Sequence, residues 1–247
     1  MRVDFNVPLN KEGVITDDTR IQAAMPTIKH VLENGAKRVV LMSHLGRPKG
    51  QRKPEFSLAP VAKRLQEILG KDVAFLDGCI EDEVVKAVEE LPEGGVALLQ
   101  NLRFYPGEKK CDDEFATKLA RLGEVYVSDA FGTVHRAHAS TAGVPKHLPA
   151  LCGMLIEKEI KYLGGVVEKP QSPYVAILGG AKVSDKVKVI ENLAQKADKI
   201  LIGGAMAYCF IKAQGGKVGS SLCEDDAVAT AKAIVDKLGD KLVLPED

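Results

Sequence analysis

Val39-Val40-Leu41-Met42-Ser43-His44-Leu45-Gly46-Arg47-Pro48 begins as an apolar run with β-branched residues and ends in a polar, basic turn. Such a run suits a parallel strand buried on both faces. In open α/β sheets, ligands bind beyond the carboxyl ends of the strands, where this turn would lie. A histidine and an arginine three residues apart at such an end would face an anion. Alone, His-x-x-Arg in a turn is more often a solvated loop. The reading therefore depends on how the neighbouring strands end.

Outward from this stretch, strand and helix patterns alternate through residue 132. Met1 to Val7 reads as a strand ending in Asp4-Phe5-Asn6. Thr16 to Gly35 reads as a helix, with Ile21, Met25, Ile28 and Leu32 at spacings of three and four and Gly35 as its cap. Pro26 inside that pattern predicts a kink or a second start. Arg20 falls near the N-terminal end, where the helix dipole favours an acid, so it needs a partner such as an anion. A helix capped by Ser57 and closed by Gly70 follows, then a strand at Val73 to Leu76 and a helix at Asp82 to Leu91. Val96 to Leu99 is a strand ending in Gln100-Asn101-Leu102-Arg103. Asp113 to Leu122 is a helix, and Glu124 to Val127 a strand leading to Asp129 and the loop His135-Arg136-Ala137-His138.

This alternation predicts a doubly wound parallel sheet with helices on both faces. Right-handed crossovers then bring the strand ends to one edge: Asp4 and Asn6, His44 and Arg47, Arg103, and Arg136 with His138. Arginine binds carboxylate and phosphate through two parallel hydrogen bonds, so the group predicts a site for a small, multiply anionic ligand. Asp4 would repel an anion. It is expected to accept from a substrate hydroxyl or to hold an arginine in place. His135 and His138 lack a third ligand at metal spacing and read as loop histidines.

The 247 residues carry 34 Lys and Arg against 34 Asp and Glu, so the net charge is zero and no general affinity for nucleic acid or anionic membrane is indicated. Any basic site must come from placement. Five cysteines without a CxxC spacing fit a reduced, cytoplasmic chain. No apolar leader and no membrane-spanning run is read.

Leu155 to Glu168 has a helical pattern, and Lys169-Pro170-Gln171-Ser172-Pro173 breaks it. The expected organisation is an α/β domain over 1–154, a link over 155–171 and a partial α/β domain over 172–247. In the latter, strands at Tyr174 to Leu178 and Lys199 to Ile202 each run into a glycine pair, Gly179-Gly180 and Gly203-Gly204. Strand, Gly-Gly, helix brings backbone N–H groups close to a phosphate, although neither a Walker A loop nor a GxGxxG fingerprint is present. Lys182 and Lys186, four apart, would share one face at the positive end of a helix, which is unfavourable without an anion. With about three strands and two helices, this part is expected to leave apolar faces uncovered, and the chain reads as shortened at both ends.

Taken in order, Arg2-Val3-Asp4-Phe5-Asn6-Val7-Pro8, Ser43-His44-Leu45-Gly46-Arg47-Pro48, Asn101-Leu102-Arg103-Phe104, Asp129-Ala130-Phe131-Gly132 with His135-Arg136-Ala137-His138, Gly179-Gly180-Ala181-Lys182-Val183 with Asp185-Lys186, and Ile202-Gly203-Gly204-Ala205-Met206-Ala207 resemble the signatures of phosphoglycerate kinases. The resemblance spans essentially the whole chain. It implies a Rossmann-like N-terminal domain with an incomplete second domain. The implied activity is reversible phosphoryl transfer between 1,3-bisphosphoglycerate and ADP, giving 3-phosphoglycerate and ATP. Magnesium enters with ATP or ADP as co-substrate, not as a protein-ligated metal.

The resemblance further implies that Asp4, Phe5, Asn6, Arg20, His44, Leu45, Gly46, Arg47, Arg103 and Arg136 hold the phosphoglycerate. Gly180, Ala181, Lys182, Lys186, Gly203 and Gly204 would hold the nucleotide, and Lys182 and Arg20 would stabilise the phosphoryl group in transfer. A monomer acting on small molecules, with no nucleic acid or membrane partner, is expected. Later family segments, an Asn-Gly-Pro stretch and a glycine-rich loop before Asp-Thr, are absent from this sequence. Gln100 stands where an acid is common and Cys209 where threonine is common. The alternative reading is a shortened phosphoglycerate-binding remnant without catalysis.

Overall fold

The computed structural model describes residues 1–246. The chain divides into two compact units, Met1–Lys161 and Tyr162–Asp247.

In the first unit the elements run β1 (Arg2–Val3), α1 (Thr19–Glu33), β2 (Arg38–Leu41), α2 (Ala59–Leu69), β3 (Val73–Leu76), α3 (Asp82–Glu89), β4 (Gly95–Leu99), α4 (Pro106–Lys110), α5 (Asp113–Ala120), β5 (Tyr126–Asp129), α6 (Phe131–Val134), β6 (Ala150–Cys152) and α7 (Met154–Glu159). Every strand pairing is parallel, in the orders β2-β4-β3 and β1-β5-β6. A parallel bridge from Arg2 to Met42 joins the two into one sheet, β3-β4-β2-β1-β5-β6. Its bonds run from Val3 N to Met42 O and from Met42 N to Met1 O, at 3.1 and 2.9 Å.

The strand period of two sorts side chains between two cores. Val39, Leu41, Val96 and Leu98 face α1 and α2, meeting Ile21, Met25, Ile28, Val61 and Leu65. Leu99 and Tyr126 face the other way, meeting Val84 and Val88 of α3 and Phe115 and Leu119 of α5. Every residue of β4 is buried, as a central strand covered on both faces requires. The sheet is therefore doubly wound, as expected.

Several expectations need correction. The first strand is only Arg2–Val3, because at Asp4 the chain leaves the sheet in a turn closed by Asn6 N on Asp4 Oδ1 (3.2 Å) and Val7 N on Phe5 O (2.8 Å). Pro26 neither breaks nor restarts α1. It lies on the exposed face, and the carbonyl it leaves unpaired belongs to Gln22, also an exposed residue, so the missing bond falls on the solvent side of the helix. Helix α2 is entered at Leu58 rather than capped by the Ser57 side chain, whose Oγ accepts from Ala59 N at 3.3 Å.

After α7 the helical pattern continues through a wider π-type turn, Ile160–Gly164, to α8 (Gly165–Glu168) in the second unit. Then come β7 (Val175–Gly179), α9 (Val187–Ala194), β8 (Lys199–Gly203), α10 (Met206–Ala213), α11 (Val228–Leu238) and β9 (Leu242–Val243). The strands are parallel in the order β7-β8-β9. Ala176, Ile200 and Ile202 pack with Ile190, Met206, Phe210, Ala231 and Ile234. The opposite face is open, with Ile177 of β7 77% exposed. Helix α11 is an addition to the elements expected from periodicity. Its buried positions include the small Ala231, which gives a weak apolar stripe.

Candidate functional site

The parallel strands of the first unit all end at one edge, and the loops leaving β1, β2 and β4 are laced together there. Asn6 Oδ1 accepts from Gly46 N at 2.8 Å, tying the first loop to the second. Ser43 Oγ accepts from Phe5 N at 2.9 Å. Asn101, after β4, donates through Nδ2 to Leu45 O (2.7 Å) and Phe56 O (2.9 Å). Arg103 donates through Nη1 to Gly46 O at 2.8 Å, while its backbone N–H is held by Asn101 Oδ1 at 3.0 Å. Gly46 has φ +60°, and a Cβ there would collide with the Phe56 ring, so this tight turn demands glycine. Phe5 and Leu45 are buried and act as packing beneath the loops.

Around this lacing the basic groups gather. Arg2 is buried and donates through Nη2 to His44 Nδ1 at 2.9 Å and through Nε to Ser140 Oγ at 3.0 Å. Burial, and then the charges of Arg2, Arg103, Arg136 and His138, push the His44 imidazole down to about 2. Burial lowers Arg103 to about 10, helped by Arg136 and Arg2 and opposed by Glu108, with Arg47 adding to the depression. His44 is thus neutral and Arg103 still a cation at neutral pH. Arg47 is exposed and Arg136 half-buried. Arg103 Nε is buried without a hydrogen-bond partner among the described residues, an orphaned cationic donor that an anion would satisfy. Arg20 does not stand free in the first turn of α1. Its Nη1 lies 2.6 Å from Asp4 Oδ2, so Asp4 holds an arginine, one of the two roles expected of it.

Beneath the cluster lies Glu108, fully buried on α4. Burial would raise its carboxyl, but His138, Arg2 and Ser140 outweigh this and hold it below the usual range. Sequence reasoning misses Arg2, Asn101, Glu108 and Ser140 as individual site residues. Arg2 is hidden in an apolar strand. Glu108 carries no local signal, since an acid in the first turn of a short helix usually faces water.

In the second unit the two glycine pairs stand side by side, because Gly179 pairs with Gly203 in the register of β7 and β8. A Cβ on Gly204, whose φ is +66°, would lie 3.1 Å from Gly180 N. The Gly180 carbonyl accepts from Met206 N, at the start of α10, at 2.9 Å. Lys182 and Lys186 do not share a helical face: Lys182 lies in the turn before α9 and Lys186 is the residue that enters it. Buried Val183 anchors this turn, and Ser184 clamps it to Glu224 through Oγ (2.6 Å) and N (3.1 Å). Ala181 and Lys182 are left exposed.

A family model for phosphoglycerate kinase matches residues 1–247. The chain belongs to the phosphoglycerate kinase family. A curated phosphoglycerate kinase of Clostridium perfringens is 58% identical over 253 residues, covering 100% of this chain and 63% of its own length. One from Picosynechococcus is 56% identical over 248 residues, covering 100% of this chain and 62% of its own. The solved structure of phosphoglycerate kinase from Coxiella burnetii superposes with a TM-score of 0.86 at 40% identity, over 99% of this chain and 61% of that one. The chain thus spans rather less than two thirds of the length of these relatives. For a member of this family, the strand-end arginines and the paired glycines are the two features on which a functional reading can be built.

Proposed function

We propose that this chain carries the phosphoglycerate site and the first part of the nucleotide site of an enzyme that transfers a phosphoryl group reversibly between 1,3-bisphosphoglycerate and ADP. The observation that carries the reading is the buried, unpartnered Arg103 Nε within reach of the charges of Arg2, Arg47 and Arg136. Burying Arg2 and Arg103 so close to further cations is costly, and a multiply charged anion offsets the cost.

In this reading Asn6, His44, Arg47, Arg103 and Arg136 hold the phosphoglycerate, over the packing of Phe5 and Leu45 and the turn at Gly46. Asp4 orients Arg20 and accepts from the substrate hydroxyl. Gly180, Ala181, Gly203 and Gly204 offer backbone close to the nucleotide phosphates, with Lys186 beside them. Lys182 and Arg20 neutralise charge on the group in transfer.

The chemistry suits this set. The attacking atom is already an anion, a carboxylate or phosphate oxygen, so no general base is required. Catalysis reduces to positioning and cancellation of charge, which arginine and lysine supply without a Ser-His-Asp arrangement. Mg-ATP and Mg-ADP enter as co-substrates. A cytoplasmic monomer goes with the same reading.

Two measurements on the 247-residue chain test it: 3-phosphoglycerate binding by calorimetry, and a coupled ATP-forming assay. Binding is expected, and turnover of roughly 1–100 per second would show that this chain transfers the phosphoryl group by itself. Binding without turnover would leave a phosphoglycerate-binding chain that is not a kinase by itself. Absence of binding would overturn the strand-end site. In a full-length context, Lys182→Ala is expected to lower mainly turnover, and an unaltered rate would remove Lys182 from the mechanism.

A further inference from the structure

Four side chains beneath the strand-end cluster form a file of hydrogen bonds, with Arg2 Nη1 branching from it to Val3 O and, at 3.5 Å, to Ser43 Oγ. Glu108 accepts from Ser140 twice, from Oγ at 2.6 Å and from the backbone N at 2.9 Å. Ser140 Oγ accepts in turn from Arg2 Nε at 3.0 Å. Arg2 Nη2 reaches His44 Nδ1 at 2.9 Å. All four residues are buried.

The donor inventory sets the direction of every proton in this file. An ionised carboxylate only accepts, so the single Ser140 hydroxyl proton points to Glu108 and the oxygen's lone pairs are left for Arg2. Arginine only donates, so His44 Nδ1 must accept, and the ring proton must sit on Nε2. Among the described residues no protein group takes that Nε2–H.

We propose that Glu108 and Ser140 are positioning residues that act through Arg2 to hold His44 as its neutral Nε2–H tautomer, so that the pocket meets its anion here with a hydrogen-bond donor and not a further cation. The proposal rests on the reading of the strand-end cluster as the phosphoglycerate site.

The arrangement answers a specific difficulty. The charged and titratable groups felt at His44 are Arg2 from β1, Arg103 from the loop after β4, and Arg136 and His138 from the loop after α6. An imidazolium among them would add repulsion without adding a donor that the neutral ring lacks on its outer side. A histidine turned the other way, with the proton on Nδ1, would oppose Arg2 donor to donor and offer the ligand only a lone pair. Arg2, a donor in every state, opposes both, and Glu108 through Ser140 holds its guanidinium at the distance where it does so. The expected consequence is that His44 adds nothing to the pH dependence of phosphoglycerate affinity, which then follows the ligand's own phosphate ionisation at about pH 6.

The experiment is a long-range proton–nitrogen spectrum of the 247-residue chain with 15N-labelled histidine, recorded without ligand from pH 5.5 to 8 and paired with 3-phosphoglycerate titrations. His44 is expected as a single neutral Nε2–H species throughout. In Ser140→Ala the Nδ1–H form or a titration should emerge, and affinity should weaken about fivefold to tenfold. Ser140→Thr, which keeps the hydroxyl, should restore the wild-type spectrum. Glu108→Gln carries the same test if Ser140→Ala does not fold. An imidazolium or an Nδ1–H ring in the wild type at pH 7 overturns the proposal without any variant. A Ser140→Ala spectrum identical to wild type overturns the role of Ser140 and Glu108. The right tautomer without 3-phosphoglycerate binding overturns the functional reading beneath it, whereas the wrong tautomer beside intact binding overturns this proposal alone.

Discussion

Arg20 Nη1 lies 2.6 Å from Asp4 Oδ2, with the arginine side chain 50% exposed and the aspartate 12%. The pair accounts for two residues that look misplaced in the sequence. A cation in the first turn of α1 opposes the helix dipole, and an acid beside an anion site repels the ligand. Each supplies what the other lacks. Gly132 completes the arrangement, because a Cβ there would lie 2.7 Å from Asp4 Oδ2.

Asp4→Asn should separate aim from stability. Asparagine keeps an oxygen for the turn at Asn6 N but removes the charge. With Arg20 half exposed, the pair contributes no more than about 1 kcal/mol. Urea unfolding should register at most that loss, while 3-phosphoglycerate affinity falls about threefold or more as Arg20 loses its anchor. A large stability loss with unchanged binding would make the pair structural.

The arginines of the cluster should divide by burial. Arg47 is exposed and Arg136 half-buried, so alanine at either should leave stability within about 0.5 kcal/mol. Affinity should drop about tenfold for each charge-assisted contact removed. Arg103→Ala also breaks the bond to Gly46 O and empties a buried site, and should cost about 2 kcal/mol of stability as well. Unchanged affinity in both Arg47→Ala and Arg136→Ala would place the ligand elsewhere.

His44 gives a pH dependence of known sign. Its folded value is depressed to about 2, so the folded ring stays neutral while the unfolded chain takes up a proton below about 6.5. Stability from this group is therefore complete above that pH and is lost as the pH falls, by at most about 1.4 kcal/mol per pH unit. Urea unfolding of wild type and His44→Gln at pH 7 and pH 5 should show a smaller acid loss in the variant. Equal losses would mean that the ring is protonated in the fold.

Gly204→Ala tests the paired glycines. The residue combines φ +66° with an approach of 3.1 Å to Gly180 N, so an added methyl meets both strain and backbone. About 1–3 kcal/mol should be lost. Proteolysis of the second unit should accelerate, with the first unit unaffected. Gly123→Ala, at a position with no positive φ and only an ordinary contact at 3.9 Å, should be nearly silent.

What can be read without coordinates follows periodicity. The strand β4 is legible because a continuous apolar run needs cover on both faces, and α1 because apolar steps of three and four line one side of a helix. Strand ends can be placed because parallel strands share a direction, which brings His44, Arg47, Arg103 and Arg136 to one edge. The Asp4–Arg20 pair is half legible, since both residues are individually out of place. The file from Glu108 to His44 is not. It is made of contacts between residues as far apart in sequence as 138 positions, and none of its members violates a local rule except Arg2, whose burial no periodicity announces. Lys182 and Lys186 mislead because four-residue spacing is ambiguous between helix and turn, and Val183 with Ser184 pins a turn.

The position of β1 in the sheet has a kinetic consequence. It joins β2 to β5 at the middle of the sheet, yet its partners at Ser128 and Asp129 are translated long after it. On a ribosome, β1 waits through the synthesis of β2, β3 and β4 before its second edge is occupied. Closing so long a loop raises contact order and slows folding. The sheet's central seam should thus form late, and Val3 N–H should exchange with solvent only when the whole unit opens.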